Sequence, residues 1–189
     1  MSSPSSTTAD QLSHISELLA IQPDLRTHAL AVIGLGANLP SAAGAPADTL
    51  RAVMPALRVL SSTPLVVSDI IESEPDDCPP GSPRFANAVA VISPLPGLTP
   101  LLLLQALQKL EADYGRRRKG VRNEARPLDL DLISYGDQQM QTDVLVLPHP
   151  RARQRRFVME PLAAIWPGYC FPGDSRAAAE IAAMLQSPS

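Results

Sequence analysis

Two aspartates alternate with leucines in the stretch RPLDLDLISY, from Arg126 to Tyr135. Alternation of apolar and polar residues is typical of a half-buried β-strand, in which successive side chains point to opposite faces. Asp129 and Asp131 would therefore lie side by side, roughly 6.6 Å apart. At an effective dielectric constant of about 20, two unit charges at this distance repel by roughly 2.5 kcal/mol. Water, an arginine or a divalent cation must offset the repulsion, and we expect an Asp→Asn change to keep or slightly raise thermal stability.

The segment just before these aspartates is rich in cations. Two carboxylates beside cations suit a metal–polyphosphate site, because Mg²⁺ is held through one or two carboxylates, waters and phosphate oxygens. The simpler interpretation is a pair of surface aspartates next to a solvated loop. A nucleic-acid patch is disfavoured because no aromatic residue interleaves the run and the net charge of the chain is −3. The cations of this run are Arg116, Arg117, Arg118, Lys119, Arg122 and Arg126.

The composition is that of one globular domain with extensions. The chain has 189 residues, of which 45% are hydrophobic and 19% charged, both ordinary for a globular protein. No secretory signal is evident and no apolar run reaches the length of about 18 residues that a membrane span needs. We therefore expect a cytoplasmic protein with no nucleic-acid or membrane partner. Cys78 and Cys170 have no zinc-site spacing and are expected to be reduced thiols.

The residue pattern predicts the order strand, helix, strand, strand, helix, strand. This is the order of an α+β, ferredoxin-like βαββαβ fold, an antiparallel sheet with two helices on one face. Residues 1–28 are expected to form a partly disordered N-terminal extension, and residues 29–189 the functional domain. The segment after Gly136 is expected to be a loop-rich C-terminal extension with a helix near residues 176–185. The predicted strands are ALAVIGLGANL, which ends in a Gly-rich turn, PLVVSDIIES, RFANAVAVI and RPLDLDLISY; the predicted helices are ADTLRAVMPALRVL and GLTPLLLLQALQKLEADYG.

Two further stretches contain groups that can recognise a ligand. RFAN places Phe85 and Asn87 on the same face of a strand. An aromatic ring and an amide can stack on and hydrogen-bond a planar heterocycle, although core packing with a surface amide explains them equally. His149 lies between two prolines in LPHP, and a lone loop histidine is more often structural than catalytic. GLGAN lacks the glycine spacing of a phosphate-binding loop and is interpreted as a packing turn.

Together, four motifs resemble the 6-hydroxymethyl-7,8-dihydropterin pyrophosphokinase family over about Ala31 to Pro172. The resemblance implies transfer of the terminal pyrophosphate of ATP to a reduced pterin alcohol in folate biosynthesis, with AMP as the second product. It also implies two Mg²⁺ ions with ATP, and we expect a monomer. The motifs are GLGANL, RFANAV, LEADYGRRRKGVRNEARPLDLDLI and LPHPRARQRRFVMEPL.

The resemblance further implies roles for individual residues. The expected catalytic residues are Arg116, Arg126, Asp129 and Asp131, of which the two aspartates hold the metal. The expected ATP-binding residues are Glu111, Arg116, Arg126, His149 and Arg155. The expected pterin-binding residues are Ser73, Glu74, Pro75, Phe85, Asn87 and Phe157.

The chain departs from the family pattern in two loops, and two other classes of protein stay open. NEAR, at residues 123–126, stands where the family often has Trp-Gly-Pro-Arg, and the loop EPDDCPPGSP is longer. We expect residues 116–125 to form a mobile lid that phosphate orders, without the help of a tryptophan. A catalytically silent pterin- or nucleotide-binding module would require the loss of a carboxylate or a phosphate arginine. A ferredoxin-like RNA binder would require paired aromatics on the sheet.

Overall fold

The computed structural model describes residues 30–76, 78–117 and 124–186. Helices and strands alternate in the first part, and three helical segments follow the last long strand. None of the helices in these ranges has the length and apolarity that a bilayer crossing requires. The elements are β1 (Ala31–Ala37), α1 (Pro46–Val59), β2 (Val66–Val67), β3 (Ile71–Ser73), β4 (Phe85–Ile92), α2 (Pro100–Asp113), β5 (Asp129–Tyr135), β6 (Met140–Gln141), β7 (Val146–Leu147), a 3₁₀ helix (Ala152–Gln154), α3 (Arg156–Ile165) and α4 (Ala178–Gln186).

The main sheet has five strands, and every pairing in it is antiparallel. β1 lies between β4 and β5, while β2 and β3 both pair with β4. The predicted α+β class with an antiparallel sheet is confirmed. The strand expected over PLVVSDIIES is instead two short strands, which Ser68 connects: its backbone N–H donates to Val89 O (2.9 Å), and its hydroxyl accepts from Val89 N–H (3.0 Å).

The two predicted helices begin and end close to the expected residues. Thr99 caps α2, because its hydroxyl accepts a hydrogen bond from Leu102 N–H at 3.4 Å, and Pro100 occupies the first turn. α2 ends before Gly115, whose φ of 91° suits glycine. α1 contains Pro55 in its interior. This proline lies on the exposed side, and α1 continues through it to Val59.

α1 and α2 cover the first face of the sheet. Their apolar residues pack on the side chains of β1, β4 and β5 that point to this face, as the period of two in the strands and the helical spacing predict. The core on this face includes Ile33, Leu35, Leu50, Val53, Leu57, Ala88, Ala90, Leu103, Leu107, Leu130 and Leu132.

The C-terminal segment covers only half of the second face. The helix expected near residues 176–185 is α4, whereas α3 lies where loops were expected. Both helices pack on Val32, Val89 and Ile133. α3 contains Pro161, yet the apolar spacing of Val158, Leu162 and Ile165 is helical and all three are buried. The other half of this face carries the predicted site.

Candidate active site

A row of three residues crosses the uncovered half of the sheet. Gly36 of β1 pairs with Asn87 of β4 on one side and with Asp129 of β5 on the other. Two residues earlier in β1, Gly34 pairs with Asp131 of β5. The glycines were predicted to form a turn after a strand, but both lie within β1. Glycine inside a strand marks a close approach of another group to the backbone, so these positions form a flat floor between the amide and the carboxylates.

The first cavity lies above this floor and has an empty volume of about 560 Å³. Most of the predicted pterin-binding residues line it: Ser73, Glu74, Phe85, Asn87 and Phe157. Pro75 does not. Sequence reasoning missed Gly34, Gly36, Asp76, Cys78 and Val158, which also line this cavity together with Leu35, Ala88, Arg126, Asp129, Asp131 and Arg155. The strand position of the two glycines was the signal that could have identified them.

Asn87 is held in one orientation at the floor of the first cavity. It is 3% exposed, and its Nδ2 donates to Ser73 Oγ at 2.9 Å and to Phe85 O at 3.4 Å. A Cβ placed on Gly36 would lie 3.5 Å from Asn87 Oδ1, so this oxygen borders the floor. The amide is therefore fixed before any ligand arrives, which favours recognition of a planar, hydrogen-bonding ring.

The second cavity lies on the other side of the aspartates and has an empty volume of about 920 Å³. Glu111, Arg116 and His149, all predicted to bind ATP, line it. Asp129 and Asp131 line both cavities. The remaining lining residues are Leu104, Gln108, Leu130, Leu132, Val144, Leu145, Val146 and Pro150.

Arginines offset the repulsion between the two aspartates. Asp129 Oδ1 lies 2.5 Å from Arg116 Nη1, and its Oδ2 lies 2.9 Å from Arg126 Nη2. Asp131 Oδ2 lies 3.4 Å from Arg155 Nη1. The Nε atoms of these three arginines are buried without a hydrogen-bond partner among the described residues. Each guanidinium thus retains donor capacity beyond its carboxylate.

Two of these arginines also contact the aromatic residues of the first cavity. Arg126 Cζ lies 5.7 Å from the ring centroid of Phe85, and Arg155 Cζ lies 5.4 Å from that of Phe157. Both distances are within the range of a cation–π contact. The arginines predicted to bind phosphate and the aromatic residues predicted to bind the pterin therefore restrain one another.

Glu111 lies under β5. It is 4% exposed, and its Oε1 accepts a hydrogen bond from Leu130 N–H at 2.8 Å and pairs with Arg116. Although burial opposes it, the negative charges of Asp129 and Glu111 raise the pKa of the Arg116 guanidinium. Glu111 thus connects α2 to β5, the strand that carries the aspartates. It also pairs with Arg116, an arginine predicted to bind phosphate.

His149 is neutral at pH 7. Its backbone N–H donates to Ile133 O at 2.8 Å, and its Nδ1 accepts from Arg151 N–H at 3.3 Å. Burial and then the charges of Arg155 and Arg151 lower the pKa of His149 to about 4. Because Nδ1 accepts, Nε2 carries the proton and is a hydrogen-bond donor.

The aspartate pair has the donor chemistry that Mg²⁺ prefers. Removal from bulk water and then the negative charge of Asp129 raise the pKa of Asp131 to about 6, so a proton competes for this carboxylate below that pH. No group of three or more His, Cys, Asp or Glu side chains suited to a metal occurs among the described residues. A cation here would take its other ligands from water and phosphates, as Mg²⁺ commonly does.

The predicted lid is only partly described. Residues 118–123 lie outside the described residues, and Arg116 and Arg126 flank this gap. Both flanking arginines bind Asp129. Arg116, at the start of the predicted lid, and Arg126, just after its end, are therefore both tied to Asp129.

Known relatives match most of the chain. The family model for 7,8-dihydro-6-hydroxymethylpterin-pyrophosphokinase matches residues 32–167. The 2-amino-4-hydroxy-6-hydroxymethyldihydropteridine pyrophosphokinase of Haemophilus influenzae is 38% identical over 135 residues, which cover 71% of this chain and 80% of the relative. The Pseudomonas putida protein of the same name is 40% identical over 119 residues, 63% of this chain and 92% of the relative. An Arabidopsis thaliana folate synthesis bifunctional protein is 36% identical over 134 residues, 69% of this chain and 26% of the relative.

Solved structures show the same fold. The HPPK-DHPS of Plasmodium falciparum, crystallised with pteroate, superposes with a TM-score of 0.61 at 12% sequence identity. The superposition covers 82% of this chain and 44% of the solved one. The chain thus spans less than half the length of that protein, and the likeness concerns the fold.

Two cavities that share a carboxylate pair surrounded by arginines fit a transferase of phosphate groups. The chain belongs to the 7,8-dihydro-6-hydroxymethylpterin-pyrophosphokinase family. It is an ATP-dependent enzyme that transfers pyrophosphate to hydroxymethyldihydropterin in folate synthesis.

Proposed function

We propose that the first cavity binds the pterin, the second binds ATP, and the pyrophosphate is transferred at the boundary between them. One observation carries this assignment: Asp129 and Asp131 line both cavities. A group held at these two residues faces both substrates at once. Positioning of this kind is the main contribution that proteins make to phosphoryl-type transfer.

The first cavity suits a flat, polar ring. Phe85 and Phe157 supply aromatic surface, and the glycine floor lets a ring approach the backbone of β1. Asn87, fixed by Ser73, supplies hydrogen bonds at the ring edge. Glu74 lines the same cavity. Pro75 does not line it and would affect pterin binding only by shaping the backbone of its loop.

The second cavity suits a nucleotide. Leu104, Leu132 and Val146 provide apolar surface for a base. Arg116, Arg126 and Arg155 surround the carboxylate pair, where they can bind phosphate oxygens with charge-assisted hydrogen bonds. His149 would donate from Nε2 to the same anion. Glu111 acts on ATP through Arg116 in this assignment.

Asp129 and Asp131 would hold Mg²⁺, which we expect as two ions with ATP. When bound, these ions neutralise phosphate charge and make the pterin hydroxyl more acidic. The chain must then move its arginines from the carboxylates to the phosphates. Arg116, Arg126 and Arg155 balance the charges of Glu111, Asp129 and Asp131. These arginines could therefore turn to phosphate oxygens if a metal took their place on the carboxylates.

We further propose the ferredoxin-like assignment for residues 29–189, with residues 1–28 as an extension. The strand order β2-β4-β1-β5 with antiparallel pairing supports it. The composition and the family resemblance favour a monomer in the cytoplasm.

Product analysis tests the proposed reaction. The purified protein, ATP, Mg²⁺ and 6-hydroxymethyl-7,8-dihydropterin should yield AMP and a pterin diphosphate, identified by mass spectrometry. ADP with a pterin monophosphate would contradict pyrophosphate transfer. Binding of both ligands without any product would favour the catalytically silent module.

A further inference from the structure

A cluster of three residues lies on the C-terminal side of the 3₁₀ helix, outside both cavities. Arg153 Nε lies 3.3 Å from Asp174 Oδ2, and Arg153 Cζ lies 4.9 Å from the ring centroid of Phe171. Phe171 is 1% exposed in the core of the second face. We call Arg153, Phe171 and Asp174 the outer clamp. It joins the 3₁₀ helix to the turn that precedes α4.

The outer clamp holds a segment that contains three site residues. His149 O accepts from Ala152 N–H at 3.1 Å, and Ala152 O accepts from Arg155 N–H at 3.2 Å. The chain from His149 to Arg155 is therefore one continuous, hydrogen-bonded turn. Phe157 follows in the first turn of α3. A shift of the 3₁₀ helix would thus move groups that face both cavities.

This segment lacks the restraint that helices ordinarily have at their start. Neither the 3₁₀ helix nor α3 has a side-chain cap, and Arg155 itself stands at the N-cap of α3. A helix without a side-chain cap is less stable at its start. The outer clamp attaches Arg153, two residues before Arg155, to a buried aromatic ring and to a carboxylate whose side chain is 10% exposed.

We propose that Arg153, Phe171 and Asp174 are positioning residues that set the orientation of Arg155 and Phe157 at the first cavity and of His149 at the second. The catalytic part of this inference rests on the proposed function. Phe171 and Asp174 lie after residue 167, where the match to the family model ends. Arg153 acts through the segment, and none of the three residues lines either cavity.

The chain offers a matched control for the charged contact. Arg176 binds the same carboxylate, with Nε 3.1 Å from Asp174 Oδ1 and Nη2 2.8 Å from Oδ2. Its side chain is 48% exposed, and it belongs to the turn before α4, not to the segment from His149 to Phe157. Arg176→Gln therefore removes an arginine from Asp174 but leaves the attachment of the 3₁₀ helix intact.

The experiment compares Arg153→Gln, Asp174→Asn, their double mutant and Arg176→Gln in the full chain. Hydrogen exchange of peptides covering residues 148–158 should rise in the first three proteins and stay at the wild-type level in Arg176→Gln. The Kd for the pterin, measured with Mg²⁺ and a non-hydrolysable ATP analogue, should rise about fivefold or more, and kcat should fall, because small misplacements of binding groups are costly. Arg153→Gln and Asp174→Asn both remove the contact between Arg153 and Asp174, so the effect of the double mutant should be smaller than the sum of the two single effects.

Two results would overturn the inference. Arg153→Gln and Asp174→Asn could lower the melting temperature while exchange at 148–158, Kd and kcat stay at wild-type values, which would make the clamp a stabilising contact only. If Arg176→Gln has the same effects as Arg153→Gln, Asp174 does not act on the site through its contact with Arg153. If the wild-type protein releases no AMP, the proposed function fails, but hydrogen exchange still decides whether the clamp restrains the segment.

Discussion

Arg116 and Asp129 form an ion pair in which the arginine Nη1 lies 2.5 Å from the aspartate Oδ1. The second oxygen of Asp129 pairs with Arg126, and the side chains of all three residues are no more than 16% exposed. A residue expected to hold metal is therefore also the counter-ion of two arginines expected to hold phosphate. Metal and nucleotide sites thus depend on each other through one carboxylate.

The two aspartates should differ in what they contribute to stability. Asp129→Asn leaves two mostly buried arginines without their counter-ion and should destabilise the metal-free protein by about 1–3 kcal/mol. Asp131→Asn should leave the stability unchanged or slightly higher, because Asp131 has one partner at 3.4 Å and its surroundings disfavour the charged form. For Asp129, this predicted loss differs from the expectation from the sequence, which was unchanged or slightly higher thermal stability. Urea unfolding without metal measures the difference.

Both substitutions should nevertheless reduce kcat by about 100-fold or more, because each removes a charge from the transfer site. Near-wild-type turnover in an unfolding-prone Asp129→Asn protein would mean that the pair is structural. Equal stability losses in the two variants would contradict the assignment of Asp129 as the shared counter-ion.

The glycine floor should be required for binding but not for folding. A Cβ at position 36 would lie 3.5 Å from Asn87 Oδ1 and 3.7 Å from Asp129 Cβ, which are ordinary contacts. Gly36→Ala should therefore keep or raise the stability of the protein by up to about 1 kcal/mol. The methyl group occupies the floor, so the affinity for the pterin should fall about tenfold or more, since one misfitting methyl is worth about 1–3 kcal/mol.

Gly168→Ala is the matched control, because a Cβ there has no neighbour within 4 Å. Calorimetry with the pterin should give wild-type affinity for this variant. If Gly36→Ala binds the pterin as tightly as the control does, the pterin ring does not lie on the floor of the first cavity.

Asn87 should recognise the ligand, and Ser73 should orient Asn87. Asn87→Ala removes the hydrogen bonds of the amide and should weaken pterin binding about tenfold, as expected for one or two hydrogen bonds. Ser73→Ala removes only the partner of Nδ2 and should have a smaller effect on the same Kd. A larger loss in Ser73→Ala than in Asn87→Ala would assign direct ligand contact to the serine.

His149 should make the stability of the metal-free protein depend on pH. Its pKa in the folded protein is about 4, below the value of about 6.5 expected for the unfolded chain. The unfolded chain therefore binds more protons between these values. The stability contribution of His149 is complete above pH 6.5 and is lost as the pH falls towards 4.

Urea unfolding at pH 7.5, 5.5 and 4.5, in phosphate-free buffer, measures this dependence. The loss of stability on acidification should be smaller in His149→Asn than in the wild type. An identical pH dependence in the two proteins would mean that the imidazole is not held neutral by its surroundings.

The sequence predicts those parts of the fold that local pattern determines. The period of two in RPLDLDLISY and the cap at Thr99 both correspond to observed elements. It did not predict that Gly34 and Gly36 lie within β1, because their role depends on pairing with β4 and β5. α3 was missed because the segment after Gly136 was expected to be loop-rich, although Val158, Leu162 and Ile165 have helical spacing. The second cavity was not predicted either, since it is formed by residues from α2, β5 and the loop before His149.

Site assignments from the resemblance stay predictions, although the structure brings most of these residues together. Arginine as the counter-charge of the aspartates was one of three open possibilities. The contacts with Arg116, Arg126 and Arg155 are long-range or depend on loop geometry, so the sequence alone could not show them. The role of residues 118–123 as a lid lies outside the described residues. The sequence of α2 alone does not predict that Glu111 lies under β5.

The most direct test of the central claim is a crystal structure with Mn²⁺, a non-hydrolysable ATP analogue and 6-hydroxymethyl-7,8-dihydropterin. Anomalous scattering locates Mn²⁺ independently of the ligands. The predicted result is Mn²⁺ bound by Asp129 and Asp131, the pterin against Asn87 in the first cavity, and the nucleotide base in the second. Both ligands in one cavity, or Mn²⁺ away from the two aspartates, would contradict the account.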